Sequence, residues 1–324
     1  MRLLFLALAA LGWSCTRSEA AAPQADLAGV IQARLDSLPA ISSFYAKDLT
    51  TGREVAIRAD VPMNTASVIK LPIMIRAYRD AEAGRLNLDQ RHVVRPEELR
   101  RGSGLVQTFA PGLNPTQRDL ITQMIITSDN TATDLMIGVV GRQRVNQLLD
   151  SLGYRATRLR MTTGDLFKWI WVLTDSANAR MSQREVFERG FPSDSGMAAR
   201  IFRVAQDSIY WLGTMTAREA GRMLEELQLG KLAGKSGTDE MLGILRRQFY
   251  SSRLPQRLQF QVGIGHKTGD IPPVLGNDVG VMYPPAGPIV IAVFVNQNRG
   301  DFFALESAIG AVARDVARAW GGVK

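Results

Sequence analysis

Residues 65–74, TASVIKLPIM, place Ser67 and Lys70 three positions apart, directly ahead of an apolar run. A serine hydroxyl is a poor nucleophile until a nearby base takes its proton. On a helix, residues i and i+3 share a face, so the Lys70 amine would lie beside the Ser67 hydroxyl. The pair works if the lysine is partly neutral, which burial or a second nearby cation favours. For this motif alone, a helix-capping serine followed by a solvated lysine is the competing interpretation.

A second polar motif lies in TSDNTATDLMI, residues 127–137, between two helical runs. A loop at this point can offer the Ser128 hydroxyl to relay a proton and the Asn130 amide to hold a substrate carbonyl. The competing interpretation is an Asp/Asn helix cap.

A third motif, GHKTGD at residues 265–270, ends a β-rich run. Lys267 and Thr268 can present a cation and a hydroxyl to a substrate carboxylate, and Gly269 permits close backbone approach. A lysine near a strand end is also a common way to protect a sheet edge. Lys235-Ser236-Gly237 has the same pattern but lies between two helical patterns, so we prefer residues 267–269.

In this order and in these contexts, the three motifs resemble those of serine β-lactamases and penicillin-binding proteins, in the class A branch. The likeness covers roughly residues 24–322. It implies that Ser67 is the acylated nucleophile, that Lys70 is its base partner, and that Ser128 relays the proton to the leaving nitrogen. It also implies an oxyanion hole formed by the backbone N–H groups of Ser67 and Asp270. The residues it assigns to substrate binding are Asn130, Lys267, Thr268, Gly269 and Asp270.

The chain departs from this family in the segment that should supply a deacylating base. Class A enzymes carry a Glu-x-x-Leu-Asn stretch after the Ser-Asp-Asn motif, whose Glu drives deacylation through a water. Aligned without gaps, the Glu position falls on Thr163 and the Asn position on Phe167. Asp134 replaces the Asn that usually ties this loop to the preceding helix. We therefore expect slow deacylation, unless another carboxylate substitutes, for which the candidates are Asp165, Glu185 and Glu188.

The segment between the second and third motifs is longer than the family pattern needs, at 139 residues from Ser128 to Lys267 (267 − 128). The surplus lies in a Trp- and Phe-bearing stretch, which we expect to be an enlarged loop over residues 164–212. We expect its aromatic residues to form a small additional hydrophobic core.

The wider pattern predicts an α/β (α+β) fold of the β-lactamase/DD-peptidase type, with a five-stranded antiparallel sheet flanked by helices and an inserted all-α subdomain. A hairpin around Thr51-Gly52 and three β-rich runs after residue 256 supply the strands. We expect an export signal and linker over 1–22 and a single catalytic domain over 23–324. Its sheet subdomain is predicted over about 24–60 and 245–324, and its helical subdomain over about 61–244.

Composition excludes several other classes of function. The 324 residues are 46% hydrophobic with a net charge of +8, but the basic residues are scattered, so no nucleic-acid partner is expected. Two histidines and a single cysteine leave a zinc centre without ligands, and we expect no metal and no cofactor. No G-x-S-x-G elbow occurs, which argues against an α/β-hydrolase.

The first fifteen residues, MRLLFLALAALGWSC, have the basic and short apolar regions of an export signal. Cleavage before Cys15 would create an N-terminal lipid anchor, whereas cleavage near Ala20–Ala22 would not. We therefore expect a periplasmic protein or a membrane-anchored lipoprotein, and a monomer.

The predicted function is that of an exported class A β-lactamase-like serine hydrolase, which acts on β-lactams or related amides and esters through an acyl-enzyme. One alternative is a penicillin-binding, D-alanyl-D-alanine peptidase-like or esterase activity. Another is a β-lactam- or peptidoglycan-binding sensor that is acylated without turnover.

Overall fold

The structure is a computed structural model that describes residues 26–258 and 261–323. The predicted export signal and Cys15 lie outside the described residues. Within them the helices are α1 Leu27–Asp36, α2 Lys70–Glu82, α3 Gln117–Ile126, α4 Asn130–Val140, α5 Arg142–Ser151, α6 Thr163–Val172, α7 Gln183–Arg189, α8 Met197–Gln206, α9 Ala217–Gln228, α10 Lys235–Leu245 and α11 Phe302–Trp320. The strands are β1 Ile41–Asp48, β2 Glu54–Ile57, β3 Met63–Asn64, β4 Arg158–Leu159, β5 Gly213–Met215, β6 Gly263–Ile271, β7 Leu275–Tyr283 and β8 Ile289–Asn296.

Five of these strands form one sheet in the order β2-β1-β8-β7-β6, and every neighbouring pair is antiparallel. The predicted hairpin joins β1 to β2, with Gly52 in the left-handed region at φ +77°. The five-stranded antiparallel sheet predicted from the sequence is therefore confirmed. Its edge strand β6 carries the third motif.

The sheet separates two hydrophobic cores. Along β8, alternate side chains enter opposite cores, as the two-residue repeat of a strand requires. On one face, α1 and α11 pack over Val293 and its neighbours, and the apolar face of α11 is buried there. On the other face, α9 and the helical part of the chain pack over Phe294 and its neighbours. The element order thus places a helical subdomain between the hairpin and the last three strands.

The helical part contains two features that the sequence pattern did not predict. Short strands β3, β5 and β4 form a separate three-stranded sheet, which fixes the chain directly ahead of Ser67. The segment 164–212, expected as an enlarged loop, holds nearly all of α6 together with α7 and α8. Across 26–258 and 261–323, no helix is both long enough and apolar enough to cross a bilayer.

Candidate active site

Ser67 lies in a short 3₁₀ helix, Ala66–Ile69, that leads directly into α2. The helix-cap interpretation fails for this serine, because the N-cap positions of the 3₁₀ helix and of α2 are Thr65 and Ile69. Ala66 has φ +40°, a left-handed conformation that costs a non-glycine residue about 1–3 kcal/mol. The backbone is therefore held in an unfavourable conformation immediately before the candidate nucleophile.

Three buried asparagines hold this backbone, and the sequence analysis missed them. The N–H of Ala66 donates to Asn64 Oδ1 at 3.0 Å, and the N–H of Asn64 donates to Asn296 Oδ1 at 2.8 Å. The Asn277 amide donates to the carbonyls of Asn64 and Thr65 at 2.9 and 3.2 Å. The available signal was an asparagine at the end of the apolar strand β8 and another, followed by Asp278, within β7.

Lys70 opens α2 three residues after Ser67 and is fully buried. Its Nζ donates to the carbonyl of Ser128 at 2.7 Å, to Ser128 Oγ at 3.2 Å and to Asn130 Oδ1 at 2.9 Å. Burial lowers the pKa of the Lys70 amine from 10.5 to about 7, against the opposing effect of three carboxylates, those of Asp129, Asp134 and Asp270. A substantial fraction of this amine is therefore neutral near physiological pH.

Ser128 lies between two buried lysines. Its Oγ is 3.2 Å from Lys70 Nζ and 3.0 Å from Lys267 Nζ, and Lys267 also donates to the carbonyl of Thr268 at 2.7 Å. Burial, with the Lys70 charge adding to it, holds the pKa of Lys267 well below its ordinary value. Ser128 itself adopts φ +55°, so its backbone is strained in the same way as that of Ala66. The helix-cap interpretation of this motif is confirmed for Asp129, which caps α4 by accepting from the Ala132 N–H, and it is compatible with a catalytic role for Ser128.

Gly269 brings β6 into contact with the 3₁₀ helix of Ser67. A Cβ at this position would lie 2.4 Å from the Thr65 carbonyl oxygen and 3.0 Å from the Ser67 nitrogen, so only glycine fits. The next residue, Asp270, lines the same cavity as Ser67, and its carboxylate pairs with the buried guanidinium of Arg253. The backbone of β6 is thereby placed beside the backbone N–H of Ser67.

A cavity of about 230 Å³ opens beside Ser67. Its polar lining includes Asn130, Thr163 and Asp270. Of the described residues, Asp270 is the one acidic side chain that lines it, and Arg253 already pairs with that carboxylate. Among the residues that the structure describes, the lining of this cavity therefore offers no carboxylate free to activate a water.

Thr163, at the position where class A enzymes carry Glu, is buried at the start of α6. Its hydroxyl donates to Asp134 Oδ1 at 2.8 Å, and the N–H of Gly164 donates to Asp134 Oδ2 at 2.9 Å. Arg100 Nε donates to the same Oδ2 at 2.8 Å. Asp134 therefore ties α6 to α4 although it replaces the expected Asn, and both of its oxygens already accept hydrogen bonds.

The structure does not bring the three substitute carboxylates to Ser67. Asp165 and Glu185 are the third residues of α6 and α7, where each closes a capping box with the residue before its helix. Glu188 is exposed and pairs with Arg184 on α7. None of the three lines the Ser67 cavity.

The competing lysine motif also lies elsewhere. Lys235 begins α10, its side chain is 89% exposed, and it pairs with Asp239 one turn later. Lys267, by contrast, is fully buried against Ser128. Across residues 26–258 and 261–323, no three His, Cys, Asp or Glu side chains are close enough together to hold a metal ion.

Residues 26–320 match the sequence model of the beta-lactamase enzyme family. The chain belongs to this family. Membership identifies it as a serine hydrolase of the β-lactamase type, and it confirms the superfamily that the three motifs predicted.

Two curated relatives are about one quarter identical to this chain. The beta-lactamase regulatory protein BlaB of Streptomyces cacaoi is 26% identical over 193 residues, which are 59% of this chain and 60% of that protein. A beta-lactamase of Streptomyces lavendulae is 25% identical over 285 residues, which are 86% of this chain and 81% of that protein. The chain thus matches about three fifths of the regulatory protein and most of the enzyme.

Solved structures confirm the β-lactamase fold. A beta-lactamase of Sphaerobacter thermophilus superposes with a TM-score of 0.73 at 27% identity, covering 92% of this chain and 98% of the other. The protein PBP-A superposes with a TM-score of 0.72 at 23% identity, covering 93% and 98%. The second likeness shows the fold alone.

Proposed function

We propose that this chain hydrolyses β-lactams, or related amides and esters, through an acyl-enzyme on Ser67 that forms readily and is hydrolysed slowly. The observation that carries the proposal is the Ser128 hydroxyl, which lies between the buried amines of Lys70 and Lys267 in a motif set anchored by Ser67. A hydroxyl held between two buried amines can pass a proton in either direction. A peptidase-like or esterase activity would differ from this proposal in its substrate, and a sensor would differ in the fate of the acyl-enzyme.

In the proposed acylation step, neutral Lys70 accepts the proton of the Ser67 hydroxyl as Oγ attacks the substrate carbonyl carbon. The backbone N–H groups of Ser67 and Asp270 stabilise the resulting oxyanion. The carbon–nitrogen bond then breaks, and Ser128 donates its proton to the leaving nitrogen. Lys70 returns a proton to Ser128, so that no net proton is gained or lost.

In the proposed binding step, Lys267 and Thr268 hold the substrate carboxylate, and the Asn130 amide holds the acyl amide. The free-energy cost of burying the charged form of Lys267 is smallest when an anion is bound beside it, because burial disfavours an unpaired charge. This arrangement selects substrates that carry a carboxylate next to the scissile bond.

Deacylation needs a water that is deprotonated beside the ester. Thr163 lines the cavity at the position of the family's Glu, and a threonine hydroxyl is not a base near neutral pH. Because Asp134, Asp165, Glu185 and Glu188 are committed to other contacts, we infer that the ester persists.

Two assays on the purified protein separate the proposal from its alternatives. A fluorescent penicillin should label one site per chain, and a chromogenic cephalosporin should be hydrolysed with a burst followed by a slow steady state. Labelling without any steady-state hydrolysis would instead indicate a sensor, an outcome that the likeness to a regulatory protein makes worth testing. The absence of both signals would overturn the acyl-enzyme proposal.

Export is part of the proposal and rests on residues 1–15, which have the pattern of a signal sequence. Expression of the full chain in a Gram-negative host should yield mature protein in the periplasmic or membrane fraction. Retention of the complete N-terminus in the cytoplasm would contradict export, and partition of a lipid-modified Cys15 into detergent would show the anchor.

We predict that Lys267→Ala weakens acylation by penicillins far more than Lys235→Ala. Loss of a charged partner from a buried site costs roughly 2 kcal/mol or more, which is about 30-fold in rate, whereas an exposed lysine contributes little. The measurement is the second-order acylation rate constant of each variant with benzylpenicillin. Equal losses in the two variants would refute the assignment of the carboxylate site.

We predict that acylation is lost as the pH falls below about 7. The pKa of Lys70 lies near 7, so the neutral amine is present above that pH and decreases about tenfold per pH unit below it. The acylation rate constant should therefore fall from a plateau at pH 8 to roughly one hundredth at pH 5. Circular dichroism at each pH controls for unfolding, and a flat profile between pH 5 and 8 would contradict Lys70 as the base.

A further inference from the structure

The cavity beside Ser67 is lined by both polar and apolar side chains. Ser67, Asn130 and Thr163 are among its polar lining residues. Six of its apolar lining residues come from one segment of the chain, and we call them the apolar wall: Leu166, Phe167, Ile170, Phe191, Ile201 and Leu212. The side chains of the apolar wall differ in exposure: Leu166 is buried, whereas Phe191 is 44% exposed.

The apolar wall comes from the segment 164–212. Leu166 and Phe167 lie in the stretch aligned with the family's Glu-x-x-Leu-Asn, and the other four residues follow in the part that lengthens the chain relative to the family pattern. The rings of Phe167 and Phe191 meet edge to face, with their centroids 5.4 Å apart. Gly102 has φ +91°, and a Cβ there would lie 2.8 Å from Phe167 Cζ and 2.6 Å from Asn130 Nδ2. Glycine at this position thus allows the Phe167 ring to pack beside the amide that is proposed to hold the substrate.

The aromatic residues of this segment divide between packing and the cavity. Trp169 packs against Tyr210, and Trp171 Nε1 donates to the carbonyl of Gly190. The separate small core expected from the sequence is not found among the described residues, because Trp169 is 38% exposed and Tyr210 belongs to the main core of the helical part. Phe167 and Phe191 instead line the cavity, so the segment also supplies apolar surface at the reacting centre.

We propose that the apolar wall binds the acyl side chain of the substrate and selects bulky apolar side chains, aromatic ones above all. The inference rests on the proposed function, because the bond to Ser67 is what places an acyl side chain in this cavity. A concave apolar surface with polar groups at one end is the usual arrangement for orienting a ligand. A small side chain would leave the apolar wall in contact with water. A charged side chain would lose its own hydration on binding there.

A second cavity of about 600 Å³ adjoins the first at Ile201, which lines both. Pro272 lines the first cavity, and the adjacent Pro273 lines the second together with Phe202. The inference therefore extends to a long acyl side chain that reaches from the first cavity towards the second. We expect large acyl groups to be accepted as well as single rings.

The test uses penams that differ only in the acyl group: acetyl, phenylacetyl and biphenylacetyl. The second-order acylation rate constant should be about tenfold or more higher for phenylacetyl than for acetyl, as is typical for filling an apolar pocket. It should not fall for biphenylacetyl. Equal constants for acetyl and phenylacetyl would overturn the inference.

Variants then locate the preference. Phe191→Ala and Ile201→Asn should each lower the phenylacetyl-to-acetyl ratio, whereas Phe303→Ala should leave it unchanged. Phe303 is a matched control because it is 67% exposed on α11 and does not line either cavity. An unchanged ratio in the folded Phe191→Ala and Ile201→Asn proteins would overturn the inference.

The failure of the inference and that of the proposed function give different results. If no penam labels the chain, the acyl-enzyme proposal fails, and the inference falls with it. If all three label Ser67 at the same rate, the acyl-enzyme proposal stands and the inference alone is refuted.

Discussion

Ser67→Ala should abolish covalent labelling by penicillin and should lower any hydrolysis of a chromogenic cephalosporin by roughly 10⁴-fold or more. The physical reason is that the acyl bond forms on the Ser67 oxygen, for which alanine has no substitute. Intact-protein mass spectrometry measures the adduct directly. An adduct that persisted in the variant would place the nucleophile elsewhere.

The loss in Ser67→Ala will be separable from unfolding. Ser67 caps neither helix, and substitutions away from caps and core typically change stability by only about 0.5 kcal/mol. The variant should therefore melt within a few degrees of the unmodified protein. Ser236→Ala, from the competing motif on α10, is the matched control and should keep full labelling.

Thr163→Glu should speed hydrolysis of the acyl-enzyme, because general-base assistance is worth about 10²–10⁴-fold. Thr163 lines the Ser67 cavity, so a carboxylate introduced there has a path to the ester. The readout is the rate at which the penicilloyl adduct disappears after excess penicillin is removed. Thr163→Gln supplies a side chain of the same size without a base and should leave the adduct as long-lived as in the unmodified protein.

The Asp134 carboxylate next to position 163 affects the Thr163→Glu variant. The Thr163 hydroxyl lies 2.8 Å from Asp134, so a glutamate there meets a like charge, which raises its pKa. Pairing Thr163→Glu with Asp134→Asn removes this charge and restores the residue of the family pattern. Equal deacylation by Thr163→Glu and Thr163→Gln, with and without Asp134→Asn, would contradict the assignment of position 163.

The candidate reacting groups could be picked out of the sequence because their signals are local. Ser67 and Lys70 are three residues apart, and Lys267 to Asp270 occupy one strand. The strands were predictable for the same reason, since β8 alternates between two cores and carries continuous apolar residues.

The groups that hold the site depend on contacts distant in sequence. Asn277 bonds the carbonyl of Asn64 across 213 residues, and Arg253 reaches Asp270 from outside β6. A single sequence shows only that polar residues interrupt apolar runs at such positions. Which backbone they hold follows from the packing of β7 and β8 against the start of α2.

The helices of segment 164–212 had a local signal that the aromatic composition obscured. Thr162 with Asp165, and Ser182 with Glu185, are capping boxes that mark the starts of α6 and α7. The same pattern explains why neither carboxylate is free to serve as a base. That this segment lines the Ser67 cavity could not be predicted, because it depends on how α6 and α8 pack beside β6.

The central claim is that this protein forms an acyl-enzyme faster than it can hydrolyse it. The most direct measurement follows the mass of the intact, unmodified protein after mixing with excess benzylpenicillin and again after the excess is removed. We expect one penicilloyl group on every chain early in the reaction, followed by slow return to the free mass. Rapid consumption of many equivalents of benzylpenicillin, with the protein remaining at its free mass throughout, would contradict the account.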